Sequence, residues 1–140
     1  MEKQIWNVLF MLILLICSIK DILRKEICIQ AALTGIVFGI VYRALYDRTD
    51  FIQIVYSCLP GFCIMGLSLL SEGKVGFGDG IVIWMAGLFY SVWGVLNWIF
   101  FAFVFCAFSG LILMLCGKGR RRMELPFIPF LTVSALFFLV

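Results

Sequence analysis

Ser71-Glu72-Gly73-Lys74-Val75-Gly76-Phe77-Gly78-Asp79-Gly80 is a polar, glycine-rich stretch set between two runs apolar enough to cross a membrane, Phe51 to Leu70 before it and Ile81 to Trp93 after it. A carboxylate beside a bilayer is costly unless it faces a partner, a wet cavity or a substrate, so Asp79 needs a reason. Glycines at 76 and 78 permit positive φ and leave no side chain in the way of a close backbone approach to the acid. A plainer reading is equally available: a Gly-rich turn, with Asp79 as the N-cap of the next helix. Spacing alone leaves both open.

Composition settles the wider setting. The chain is 64% apolar and only 14% charged over 140 residues, far from the usual soluble mixture. It reads as an all-α integral membrane protein, a polytopic bundle of about six transmembrane helices, forming a single membrane-embedded domain over residues 1–140 because every polar connection is short. No histidine is present, which excludes Ser-His-Asp and Cys-His catalysis and His-based metal sites. The six cysteines show no CxxC pair and lie mostly inside apolar runs, as packing residues do. No metal or cofactor is called for, and the net charge of +3 is spread over loops, which speaks against a nucleic-acid surface.

The first apolar run, Ile5 to Ile19, lacks the charged start and small-residue cleavage site of a removable signal and is expected to be retained. It continues into Lys20-Asp21-Ile22-Leu23-Arg24-Lys25-Glu26, expected to stay helical. The second span, Ile27 to Tyr46, carries Gly35 and Gly39 at GxxxG spacing, which would seat a neighbouring helix closely. The third, Phe51 to Leu70, contains Pro60-Gly61, where a kink is expected. The fourth, Ile81 to Trp93, is expected to turn at Gly94 and Asn97 into a fifth, Leu96 to Cys116. A basic loop, Gly117 to Arg122, then leads to a sixth, Pro126 to Val140, whose length of about 22 Å requires it to be tucked in or to begin earlier. Eight of the eleven lysines and arginines fall on the side of the first, third and fifth connections. Positive-inside then puts those connections in the cytoplasm and both termini outside, with Arg120 to Arg122 serving topology and anionic-lipid contact.

Asp21 closes the first span and Asp79 opens the fourth. The chain crosses the bilayer twice between them, so they share one face and can meet. Two carboxylates within hydrogen-bond distance do not both ionise easily; one stays protonated while the other polarises a water, the division of labour that amide hydrolysis requires. Taken alone, Asp21 also reads as a helix-end charge among snorkelling cations.

Asp21 with Ile27, Gly76-Phe77-Gly78-Asp79, and Pro126-Phe127-Ile128-Pro129-Phe130 with Ser134-Ala135 together resemble the type IV prepilin peptidases, membrane aspartyl proteases of the GxGD kind. Cys28 stands where that family usually has proline, and Ile81 where a lysine commonly follows the motif. The cytoplasmic insertion with paired cysteines that accompanies N-methylation in longer relatives is missing. The resemblance implies a peptidase-only enzyme of the bacterial cytoplasmic membrane, without a cofactor. It would cut the basic leader from a prepilin or pseudopilin at its junction with the apolar helix. In that picture Asp21 and Asp79 are catalytic, Gly76 and Gly78 let the substrate strand approach, and Glu72 attracts the leader unless it is simply a solvated loop charge. Two rivals remain: a non-catalytic pilus or secretion assembly subunit, or degenerate relative, and a small transporter using the acids. Coupling sites near the bilayer midplane argue against the latter.

Overall fold

In hydrocarbon every backbone N–H and C=O must find its partner within the segment, so long apolar runs become helices. The computed structural model describes residues 2–24, 29–46, 50–71, 76–116 and 126–138. Among these lie six helices: α1 (Glu2–Arg24), α2 (Ile29–Tyr46), α3 (Phe51–Leu70), α4 (Phe77–Phe89), α5 (Val92–Leu115) and α6 (Ile128–Phe138). The chain is an all-helical polytopic membrane protein. Helices α1, α2, α3 and α5 are long and apolar enough to cross a bilayer.

The other two helices are shorter: α4 has 13 residues and α6 has 11. At 1.5 Å per residue they reach about 20 Å and about 16 Å, below the roughly 30 Å core. Helix α4 tolerates its length because it is interior, and α6 because one of its faces is buried. Within α4, Gly78, Gly80 to Ile83 and Met85 to Phe89 are all buried, as befits a helix apolar on every side. In α6, Ile128, Leu131, Thr132, Ser134 and Ala135 are buried against α1 and α5. The sixth segment is therefore tucked in, and it begins later than Pro126.

Small residues let α4 sit at the centre. A Cβ on Gly35 would strike Met85 Sδ, and one on Gly39 would lie 2.7 Å from Leu88 Cβ, so the helix seated on the GxxxG face of α2 is α4. On the other side, a Cβ on Gly61 would come 2.5 Å from the Trp84 backbone nitrogen, and one on Gly87 would strike the Ser57 carbonyl oxygen. Helix α3 continues through Pro60 to Leu70, and Gly61 serves this close approach. The hairpin between α4 and α5 turns at Tyr90-Ser91, earlier than the expected Gly94-Asn97. Ser91 is the N-cap of α5, its hydroxyl accepting from the Gly94 N–H at 3.4 Å.

The start of α1 and the ends of α2 and α4 gather at one end of the bundle. Trp6 packs on Tyr42 with ring centroids 5.4 Å apart, Tyr42 stacks on Phe89 at 5.8 Å, and Tyr90 Oη donates to Asn7 Oδ1 at 3.0 Å. Arg43 reaches from the last turn of α2 into the same cluster. Its Nε donates to the Leu88 carbonyl at 2.7 Å, and Nη2 to those of Gly87 and Tyr90 at 3.4 and 3.3 Å. These are carbonyls that the end of α4 leaves without an intrahelical partner.

Candidate active site

The opposite end of the bundle gathers the end of α1 and the starts of α4 and α6. Asp79 lies in the first turn of α4, ahead of the apolar run that begins at Ile81. Gly76, not Asp79, is the N-cap, and the Asp79 N–H donates to the Gly76 carbonyl at 3.1 Å. The capping reading of Asp79 therefore fails. Gly76 adopts φ −62°, ψ 113°, a backbone open to any residue, so the positive φ that a glycine permits is not used there. Its reason is space. A Cβ at position 76 would lie 2.7 Å from Asp79 Oδ2, so the missing side chain is what lets the carboxyl fold back over the start of its helix. Gly78 is helical and buried within that first turn.

Asp21, only 8% exposed, accepts a hydrogen bond from the Ile128 backbone N–H at the first position of α6. Its carboxylate lies close enough to act on Asp79. Burial first, and the Asp21 charge after it, push Asp79 up to about 7. Two acids from distant parts of the chain thus lie at the same end of the bundle, near enough for the charge of one to act on the other, and one of them has a backbone donor. Such a pair holds a proton near neutral pH and titrates as a unit.

Ile81, which stands two residues beyond Asp79, is buried core and brings no cation to the pair. Glu72, with the rest of 72–75, lies outside the described residues, as do Ile27, Cys28 and the basic stretch Lys118 to Arg122. Two features, one at each end of the bundle, escape a reading of the sequence. At the aromatic end it is Arg43, whose place inside an otherwise apolar helix is a signal of a buried partner. The Ile128 N–H is a backbone group, and its sole trace in the sequence is Pro129, which brings no N–H of its own to that first turn.

The fold is a polytopic helical bundle that brings two acids to one end. Residues 8–111 match the model of the type IV leader peptidase family, and the chain belongs to that family. No curated protein and no solved structure matches it. Membership makes it a peptidase of the prepilin-processing type in general. Both acids fall inside the matched segment; α6 falls beyond it.

Proposed function

We propose that the chain is an aspartyl endopeptidase of the bacterial cytoplasmic membrane that removes the basic leader from prepilin-like substrates, with Asp21 and Asp79 as its catalytic dyad. A single domain over residues 1–140 carries the activity, and no methyltransferase half accompanies it. What supports the reading is that Asp21 and Asp79, on helices far apart in the chain, come to one end of the bundle near enough for the Asp21 charge to raise Asp79, the condition for one shared proton.

The chemistry follows from that proton. The ionised member takes a proton from a water whose oxygen attacks the scissile carbonyl carbon, while the protonated member gives its proton to the carbonyl oxygen. The resulting gem-diol collapses as the C–N bond breaks, and a proton passes to the departing amine. Carboxyl and amine products leave, and one shared proton stays on the dyad. Gly76 and Gly78 keep the approach to Asp79 free of side chains, and Glu72 draws the basic leader. The excess of lysine and arginine on the connections next to both acids supports a cytoplasmic site.

The test is leader removal from a prepilin-like substrate by Asp21→Asn and Asp79→Asn variants that accumulate normally. Each is expected to lose about 10²- to 10⁴-fold in rate. Because burial and the Asp21 charge push Asp79 up to about 7, the pair is expected to lose its shared proton, and the wild type its activity, as the pH rises beyond that value. Continued cleavage by either variant defeats the dyad. A non-catalytic subunit, the reading that Ile81 favours by standing where a lysine commonly follows the motif, would bind the substrate in wild-type form and leave it uncut.

A further inference from the structure

Helix α1 turns one stripe inward: Phe10, Ile13, Leu14, Cys17, Ser18 and Asp21 are all buried, three and four residues apart along one face. Ser18 lies between the apolar part of that stripe and the acid, one turn before Asp21 and so about 4.5 Å further into the bundle along the helix axis. A buried hydroxyl on a helix ordinarily donates to a main-chain carbonyl. Ser57 does so to Gln53 at 2.9 Å, Thr132 to Ile128 at 3.0 Å and Ser134 to Trp98 at 2.8 Å. Ser68 is engaged as well. Among the described residues, Ser18 is the one buried hydroxyl that makes no hydrogen bond, although the residue is only 7% exposed. No sealed side-chain oxygen or nitrogen among the described residues lacks a partner, so the Ser18 oxygen is not sealed. It is an open acceptor in an otherwise apolar stripe, one turn inward of the acids.

We propose that Ser18 binds the substrate: its hydroxyl oxygen accepts a hydrogen bond from a backbone N–H in the first turn of the substrate's apolar helix, just past the scissile bond. The proposal rests on the leader-peptidase reading and adds to the acids a residue that holds the far side of the cut. A leader that ends at the bilayer edge and continues as an apolar helix presents, at that junction, the first N–H groups of a helix, which have no partner within it. In apolar surroundings an unpaired N–H is costly. The carbonyls of the same turn are taken up by the helix itself, so the groups in need are donors and the protein must offer an acceptor. Serine meets this need within a single chain as an N-cap, and Ser18 supplies the same oxygen from a neighbouring helix. Its position fits. With the scissile carbonyl at the acids, the peptide that follows runs into the bundle and passes the level of Ser18 within one helical turn. Packing alone asks only for a small residue at this point, not for a hydroxyl.

The experiment uses the full chain in detergent and a peptide joining a basic leader to an apolar segment. In a series of such peptides the amide at the second, third or fourth position after the cut is replaced by an ester, which deletes that N–H and leaves the scissile bond an amide. Ser18→Ala is expected to lower kcat/KM roughly tenfold for the all-amide peptide. The loss falls on KM, because a bond present in ground state and transition state alike is uniform binding. At one position the ester is expected to cost the wild type about the same factor and to cost Ser18→Ala nothing further. The thermal midpoint of Ser18→Ala should match that of the wild type, since the deleted hydroxyl has no partner inside the protein. Wild-type kinetics in Ser18→Ala overturn the proposal. So do independent losses at all three positions, and so does a loss confined to kcat, which would mean that Ser18 acts through Asp21. Any of these alongside inactive Asp21→Asn and Asp79→Asn proteins sinks the role of Ser18 and spares the dyad; an active Asp21→Asn protein sinks the dyad itself.

Discussion

At its C-terminal end α4 runs into a guanidinium that takes three backbone carbonyls, inside a cluster formed by Trp6, Phe10, Tyr42, Phe89 and Tyr90. At its N-terminal end the same helix sets Asp79, among three glycines, near Asp21 of α1, which takes a backbone N–H from the start of α6. One end is neutralised and tied down, with the charge of Arg43 set against the negative pole of the helix. The other brings like charges together, which disfavours the ionised form of each and costs stability. The contrast separates holding from acting: the aromatic end fixes the height and rotation of α4, so that the acidic end can carry an arrangement that would not hold together by itself. Changes at the two ends should then fail differently, the acidic end in rate and the aromatic end in stability.

The strongest way to break this division is at Gly76. Alanine there puts a Cβ 2.7 Å from Asp79 Oδ2, and the atom that can yield is the far end of that acid. The fold accommodates the change by swinging the carboxyl aside. A displacement of about 1 Å in a reacting group is worth roughly 100-fold in rate. Gly76→Ala is therefore expected to lose leader cleavage on that scale, with a thermal midpoint in detergent close to that of the wild type. A large drop in the midpoint would mean that the acidic end is structural after all.

How far the sequence discloses this arrangement depends on the kind of interaction involved. Phe51–Leu70 is legible to the residue because charged and polar residues bracket an unbroken apolar run. The seat for a neighbour at Gly35 and Gly39 is legible from spacing, although not which neighbour takes it. The α4–α5 turn misleads because Tyr90-Ser91-Val92 is hardly more polar than its flanks, and a serine N-cap carries less weight in a hydropathy reading than Gly94 with Asn97. Helix α4 reads as one more span because its interior position makes it apolar on all sides, the same signal that lipid exposure produces. The two acids stand out because charge is rare here. What fixes one of them does not, because the donor is a main-chain N–H and its identity depends on where α6 lands.

At the aromatic end the expected effect is on stability. Arg43→Ala leaves the Gly87, Leu88 and Tyr90 carbonyls without that donor at a partly buried site. Bonds to a charged group are worth about 1.5–3 kcal/mol in such places, and only part of the set is short and well aligned, so a loss of about 2 kcal/mol is expected. The protein that stays folded should cleave at nearly the wild-type rate, as read by activity per folded molecule after a denaturant titration. Arg43→Lys restores a charge but not the fork that reaches several carbonyls, and should recover only part of the loss. A variant that is stable yet inactive would show that the two ends communicate more directly than a shared helix requires.

The smallest effect sharpens where the constraint on α4 stops. Gly66 lies on α3 next to Met65, whose Cγ would be 2.5 Å from a Cβ on Gly80 in the first turns of α4, yet a Cβ on Gly66 itself meets nothing within 4 Å. Gly61, earlier on the same helix, has no such room, since its Cβ would press on the Trp84 backbone. If the packing of α3 on α4 is confined to the Gly61, Gly80 and Gly87 contacts, Gly66→Ala touches no part of it. Only the higher helix propensity of alanine is then felt, worth up to about 1 kcal/mol in favour of the folded protein. Unchanged cleavage with an equal or slightly raised thermal midpoint is the expected result. A loss of either would place Gly66 within reach of the acidic end, at the substrate or at a moving part of α4, and would extend the functional region along α3.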